Sequence, residues 1–263
     1  PLGRAPGPSG STPQGEPGHA TRSPASSRPV DSRRLSDSEA LRAMMLFEDD
    51  AVFVLNKPPG LAVQGGSGVT RHVDGMLEAF RDRKGQKPRL VHRLDRDTSG
   101  CLLIAKNGDA LRELNSQISR NLVEKRYLCL LDGRLGQDRL DVDEPIGAYE
   151  RAGQKFMRVH ADVKSAQNTF RLLKSFGSQS YAEAELHTGR THQIRVHAQW
   201  LKCPLAGDNR YSSAERQKHW KAMGLKRLFL HAHQVRFMTL DGQQQLISSV
   251  LPQELGGLLD KLT

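Results

Sequence analysis

Two short stretches of this 263-residue chain concentrate the groups that do chemistry. The first, Leu90-Val-His-Arg-Leu-Asp-Arg-Asp-Thr-Ser-Gly100, sets carboxylates, guanidiniums, an imidazole and hydroxyls directly before the apolar run Cys101 to Ala105. A carboxylate held at the edge of a core strand can act as a nucleophile or a base. A second reading stays open: Asp97 or Thr98 bonding its own backbone in a surface loop, with Gly100 supplying the turn. The second stretch, Leu186-His-Thr-Gly-Arg-Thr-His-Gln-Ile-Arg-Val-His197, reads as a strand end, a Thr-Gly turn and a helix running to Trp200. Helical spacing puts Thr191, Ile194 and Arg195 on one face, so a cation projects from a largely apolar side. Arg195 is thereby a candidate partner for a buried carboxylate, although the spacing fits a solvated or phosphate-facing arginine equally well.

Other chemistries fit poorly. His187, His192 and His197 recur every five residues, the wrong spacing for an H-E-x-x-H helix, and no cysteine pair stands near them, so no metal site is expected. The glycine-rich loop from Gly60 to Gly68 lacks the G-x-x-x-x-G-K-[ST] pattern of a nucleotide-phosphate cradle, so no nucleotide cofactor is expected. Cys101, Cys129 and Cys203 are widely separated, which argues for a reducing compartment rather than a disulfide framework.

The elements that must position these groups are of mixed type. A helix is expected over Glu39 to Met45, then a buried strand Ala51 to Leu55 ended by the Lys57-Pro-Pro-Gly60 turn. A helix around His72 to Arg83, a strand Cys101 to Ala105 and a helix Asp109 to Ser119 with Leu111, Leu114 and Ile118 on one face follow. Further strands are expected at Lys125 to Leu131, Asn168 to Leu173, Tyr181 to His187 and Phe229 to Phe237. The strands fall too irregularly for a repeating βαβ series, so the class is α+β.

Residues 1 to 30 hold seven prolines, five glycines and five serines, and no aromatic residue precedes Phe47. Such a segment cannot bury enough apolar surface to offset its ordering entropy, so residues 1–37 are expected to be a disordered tail or linker and 38–263 one catalytic domain. Lysine and arginine outnumber aspartate and glutamate 39 to 29, a formal charge of +10, and only +1 of it lies in residues 1 to 40 (five arginines against four acids). A basic folded part suits a polyanionic partner. No apolar run approaches the roughly eighteen residues of a membrane span, so a soluble protein without a membrane role is expected.

From about Leu46 to Leu262 the sequence resembles the RluA-type RNA pseudouridine synthases, especially the RluC-like members that modify large-subunit ribosomal RNA. The resemblance rests on four ordered motifs: Asn56-Lys-Pro-Pro-Gly-Leu-Ala-Val63, His92-Arg-Leu-Asp-Arg-Asp-Thr-Ser-Gly100, Lys125-Arg-Tyr127 and Gly189-Arg-Thr-His-Gln-Ile-Arg-Val-His197. Gln64 departs from the pattern, since many relatives carry histidine there. The resemblance implies the family's mainly antiparallel mixed sheet with flanking helices and a central RNA-binding cleft. It implies that Asp95 is the catalytic carboxylate, that Arg195 pairs with it, and that Tyr127 stacks on the target base and assists proton removal. Arg93, close to Asp95 in sequence, is expected to fill the space of the flipped nucleotide or to bind phosphate, and Lys57, Arg190 and His192, by charge and position near the motifs, to contact the RNA backbone, each serving equally well as a loop-stabilising group. The implied enzyme needs no cofactor, acts on RNA as a monomer, and works in a bacterial cytoplasm or in a mitochondrial or plastid matrix. The rival reading is an inactive RNA-binding or ribosome-assembly factor of the same fold.

Overall fold

The computed structural model describes residues 32–161 and 163–263; the expected tail, up to residue 31, lies outside the described residues. In chain order the elements are α1 (Ser32–Ala43), β1 (Met45–Glu48), β2 (Val52–Lys57), α2 (Val73–Met76) running into a 3₁₀ turn (Leu77–Phe80), β3 (Arg89–Leu90), β4 (Ser99–Ala105) and α3 (Gly108–Ser119). Then come β5 (Glu124–Leu131), β6 (Arg139–Asp143), β7 (Ile146–Arg151), β8 (Gln154–Val159), β9 (Gln167–Phe176), β10 (Gln179–Leu186), α4 (Gln193–Trp200), α5 (Ala214–Ala222), β11 (Leu230–Met238), β12 (Gln244–Ser248) and α6 (Gln253–Lys261). No described helix is long and apolar enough to cross a membrane.

Ten strands form one sheet in the order β1-β2-β4-β11-β5-β10-β9-β6, with β12 beside β11 and β3 beside β4. Every pairing is antiparallel except β4 with β11. That parallel seam, where His231 faces Ser99 and Ala232 faces Gly100, joins the part of the sheet that leads to Asp95 to the part that carries Tyr127. Gly100 makes the seam possible. Its φ is +108° and a Cβ there would stand 2.2 Å from the Ala232 carbonyl oxygen, a distance no side chain tolerates. Gly100 is therefore a strand residue at a close approach, not the turn residue of the loop reading.

Every residue of β4 is buried, as its apolar run Cys101 to Ala105 requires when both faces of a central strand are covered. One face packs with Phe53, Leu55, Leu94, Tyr127 and Ile194. The other packs with Val52, Val54 and Phe237 under α3, which lays Leu111, Leu114 and Ile118 against them as the three-and-four spacing predicts. Asn107 caps α3 by accepting the Ala110 N–H at 2.9 Å.

Three expected helices differ from the structure. The one read as carrying Thr191, Ile194 and Arg195 begins only at Gln193, because His192 before it is left-handed, so Thr191 lies outside it. The helix expected over Glu39 to Met45 begins at Ser32, within the segment assigned to the tail, and ends at Ala43, because Met45–Glu48 pairs with β2 as an edge strand. The helix expected over His72 to Arg83 is four residues of α2 and a single 3₁₀ turn. Gly75 weakens it, and the chain leaves at Arg81 for a tight turn closed by the Asp82 N–H on the Gln86 carbonyl.

Candidate active site

The row of facing residues Gly100, Ala232, Tyr127 and Ala184 crosses β4, β11, β5 and β10. Alanine on both sides of Tyr127 leaves room beside its ring. The loop before β4 delivers Asp95, and α4, which follows β10, delivers Arg195. These three side chains and those of Arg93, Leu94, Thr98, Leu186, Arg190, His192, Ile194 and Leu230 line one cleft. The structure thus brings together six of the seven residues singled out by sequence.

Arg195 is the centre of the arrangement. Its Nη1 donates to Asp95 Oδ2 at 3.1 Å, while Nε and Nη2 donate at 2.8 and 2.9 Å to the two oxygens of Asp208. Arg195 is 5% exposed and Asp208 0%. Burial alone works against charge on both. The paired hydrogen bonds and opposite charges outweigh it, raising the Arg195 pKa and lowering that of Asp208, whose Oδ1 also accepts the Arg210 and Tyr211 N–H groups. Because Asp208 takes the bidentate face of the guanidinium, Asp95 is held through Oδ2 alone. Its Oδ1 has no hydrogen-bond partner among the described residues. Sequence reasoning missed Asp208, since Gly207-Asp208-Asn209 reads as an ordinary turn. The one local hint is Gly207 (φ +73°), where a Cβ would meet the Arg227 carbonyl oxygen at 2.1 Å.

Tyr127 is 5% exposed, and burial, then the nearby Asp95 charge, push its phenol pKa up. The hydroxyl is therefore a protonated donor at neutral pH. Thr98 closes the loop turn through its N–H to the Asp95 carbonyl at 3.1 Å, and its buried Oγ1 has no partner among the described residues. Arg93, exposed at the mouth, donates to Gln64 Oε1 at 3.0 Å, so the residue that departs from the motif holds the arginine beside the Asp95 loop. Arg190 is half-buried and donates through Nε to the Ser165 carbonyl at 2.9 Å.

Lys57 is not placed for a backbone contact. It is 0% exposed, and its ammonium donates to the carbonyls of Pro58, Leu61 and Arg96 at 2.9, 2.8 and 3.0 Å. Burial pulls its pKa down to about 7, yet the three carbonyls use all three of its donors. Gly60 and Arg96 add a reciprocal pair, Gly60 N–H to the Arg96 carbonyl at 2.8 Å and Arg96 Nε to the Gly60 carbonyl at 3.0 Å. The Asn56 to Gly60 segment is thus a clamp on the residue next to Asp95.

Two histidines fix the flanks of the same loop and must be neutral to do so. His92 Nε2 accepts the Leu103 N–H at 3.0 Å; His231 accepts the Ser99 hydroxyl at Nδ1 (2.8 Å) and directs Nε2 to the Ser249 carbonyl (3.2 Å). Burial lowers His92 from 6.5 to about 3 and His231 from 6.5 to about 4. Both folded values lie below the unfolded one, so as pH falls through 6.5 the unfolded chain takes up protons first. Their contribution is complete above pH 6.5 and is lost as pH falls toward the folded values. The expected outcome is a loss of about 4 kcal/mol of unfolding free energy between pH 7 and pH 5 from these two groups, read as a falling urea midpoint. Replacing both histidines with glutamine should flatten that slope.

A carboxylate, an arginine and a tyrosine thus meet in one cleft of this fold. The family profile described as RNA pseudouridylate synthase matches residues 51–200, and the chain belongs to this family, in its RluA-type branch. Its activity is therefore that of an RNA pseudouridine synthase. The chain is 38% identical over 235 residues to the ribosomal large subunit pseudouridine synthase C of Haemophilus ducreyi, covering 88% of this chain and 72% of that one. It is 39% identical over 228 residues to the protein of that name from Escherichia coli K12, covering 86% and 71%. Among solved structures, human RNA pseudouridylate synthase domain containing 4 shares the fold with a TM-score of 0.70 at 24% identity, over 88% of this chain and 96% of that one.

Proposed function

We propose that this enzyme isomerises specific uridines of large-subunit ribosomal RNA, with Asp95 as the catalytic carboxylate. What carries the site assignment is the single contact between Asp95 Oδ2 and an arginine otherwise committed to Asp208, which fixes this cleft-lining carboxylate yet leaves its second oxygen without a partner among the described residues. What supports the substrate is the ribosomal large subunit named for the relatives.

In the reaction the N1 to C1′ bond breaks, the uracil turns, and C5 bonds to C1′. The C5 proton is released and N1 gains one, so no redox partner or energy source is required. A carboxylate beside the sugar stabilises the positive character that develops at C1′, as in glycoside cleavage. Arg195 holds the carboxylate in place, and Tyr127, a protonated phenol with alanines on either side, gives the turned base a face to stack on. A paired uridine must first leave its stack at a cost of about a few kcal/mol. Arg93 at the mouth enters the vacated space or meets phosphate, and Arg190 meets the backbone. The same reading places the enzyme where bacterial-type ribosomes are made, in a bacterial cytoplasm or an organelle matrix, and has it act as a monomer.

The test offers the protein large-subunit ribosomal RNA, small-subunit ribosomal RNA and transfer RNA, each carrying tritium at uridine C5. Release from the first alone is expected. Release from transfer RNA alone would overturn the ribosomal assignment and leave the isomerase chemistry standing.

A further inference from the structure

His192 stands where a backbone contact does not need to be. Its Nε2 is 4.0 Å from Asp95 Oδ2, inside the cleft, and its backbone is left-handed, with φ +56° and ψ +23°. It occupies the N-cap position of α4, where residues ordinarily take extended backbone angles and turn a side chain onto the helix N–H groups. His192 does neither, since its side chain makes no capping hydrogen bond. The strained conformation therefore serves the ring's position, and strain of this kind gathers at functional sites.

The ring's protonation follows from its neighbours. Tyr211, 4% exposed, receives the Met157 N–H on its hydroxyl oxygen at 3.3 Å, and that oxygen lies 2.6 Å from His192 Nδ1. The Tyr211 hydroxyl is buried and has no other acceptor among the described residues, so its hydrogen goes to Nδ1, and with Nδ1 accepting, the neutral imidazole carries its own hydrogen on Nε2, the nitrogen nearer Asp95. The Tyr211 ring lies under Arg195, with Cζ 5.1 Å from its centroid, so it cannot swing away without disturbing the arginine.

Breaking the glycosidic bond sends its electron pair onto the uracil, and that negative charge needs a donor. Arg195 is committed to two carboxylates, and Gln193 to Thr188, Arg190 and Gln167. Arg93 is bonded to Gln64. The Tyr127 and Thr98 hydroxyls in the cleft are also without partners among the described residues, but His192 Nε2–H, likewise without a partner within hydrogen-bond distance, is the donor 4.0 Å from the carboxylate that faces the sugar.

We propose that His192 is a further catalytic residue, a hydrogen-bond donor to the oxygen of the detached uracil, and that Tyr211 is the positioning residue that fixes its tautomer. The proposal rests on the pseudouridine synthase activity. His192→Gly relaxes the left-handed backbone while removing the ring, and His192→Asn is a second variant that tolerates the same conformation. His192→Gln returns an amide donor near the position of Nε2.

The experiment is single-turnover tritium release from C5-labelled ribosomal RNA at saturating enzyme, with RNA affinity by filter binding and thermal midpoint measured on each variant. The glycine and asparagine variants are expected to keep the midpoint and the affinity while releasing tritium about 100-fold more slowly, with glutamine recovering part of the rate. Wild-type rate at saturation with weakened RNA affinity would overturn the proposal and make His192 a binding residue, and an unchanged rate with unchanged affinity would overturn it as well. Absence of release by the wild-type protein, run alongside, would overturn the parent activity and this proposal together.

Discussion

Asp208→Ala will lower both stability and turnover, although Asp208 lies behind Arg195 rather than in the open cleft. The carboxylate is fully buried and accepts four hydrogen bonds, two from Arg195 and one each from the Arg210 and Tyr211 N–H groups. Truncation leaves those donors buried without an acceptor, a loss of about 3 kcal/mol or more in urea unfolding. Arg195 would then be free to turn its paired N–H groups onto Asp95, which in the native site it meets through one oxygen. The expected activity loss is about 100-fold in turnover at saturating RNA, with RNA affinity little changed. Asp208→Asn separates the two effects: its amide oxygen can still accept from the Arg210 and Tyr211 N–H groups, so part of the stability should return while turnover stays low. A fully stable and fully active Asp208→Ala protein would mean that Arg195 needs no second anchor.

Asp95→Asn is expected to give the largest loss of activity with the smallest structural change. The amide is nearly isosteric, the loop is held by its neighbours through the Lys57, Gly60 and Arg96 contacts, and the amide oxygen can still accept from Arg195 Nη1. Folding and RNA binding should therefore survive. An amide carries no negative charge for the sugar centre, so turnover should fall by about 10⁴-fold or more, the scale seen when an essential nucleophile is removed.

Asp95, Tyr127 and Arg195 could be read from the sequence because each sits in a short motif that the local chain displays in full. Asp208 could not, because its value lies in a partner thirteen residues back, brought to it by the turn after α4. The sequence showed Lys57 as a cation beside a motif. It could not show that the Asp95 loop folds over it and supplies a carbonyl from Arg96, 39 residues away. His192 was read as an RNA-backbone contact on charge and position, but its ring lies in the cleft 4.0 Å from Asp95, on a left-handed backbone. Among the elements, β4, β5 and α3 follow from apolar runs and helical spacing. The β7–β8 hairpin went unread because its turn puts Ala152 at φ +51° before Gly153 at φ +72°, where an Asn-Gly pair would have announced it. Strand β6 alternates charged residues at the sheet edge, and no apolar run marks it.

The central claim, that one carboxylate on this scaffold carries the isomerisation, is tested most directly by single-turnover tritium release from C5-labelled ribosomal RNA. Wild type and Asp95→Asn are compared at matched RNA occupancy, without added cofactor. Release by the wild type and none by the variant, both bound to RNA, is the predicted result. Release by Asp95→Asn at the wild-type rate would contradict the account and place the essential group elsewhere in the cleft.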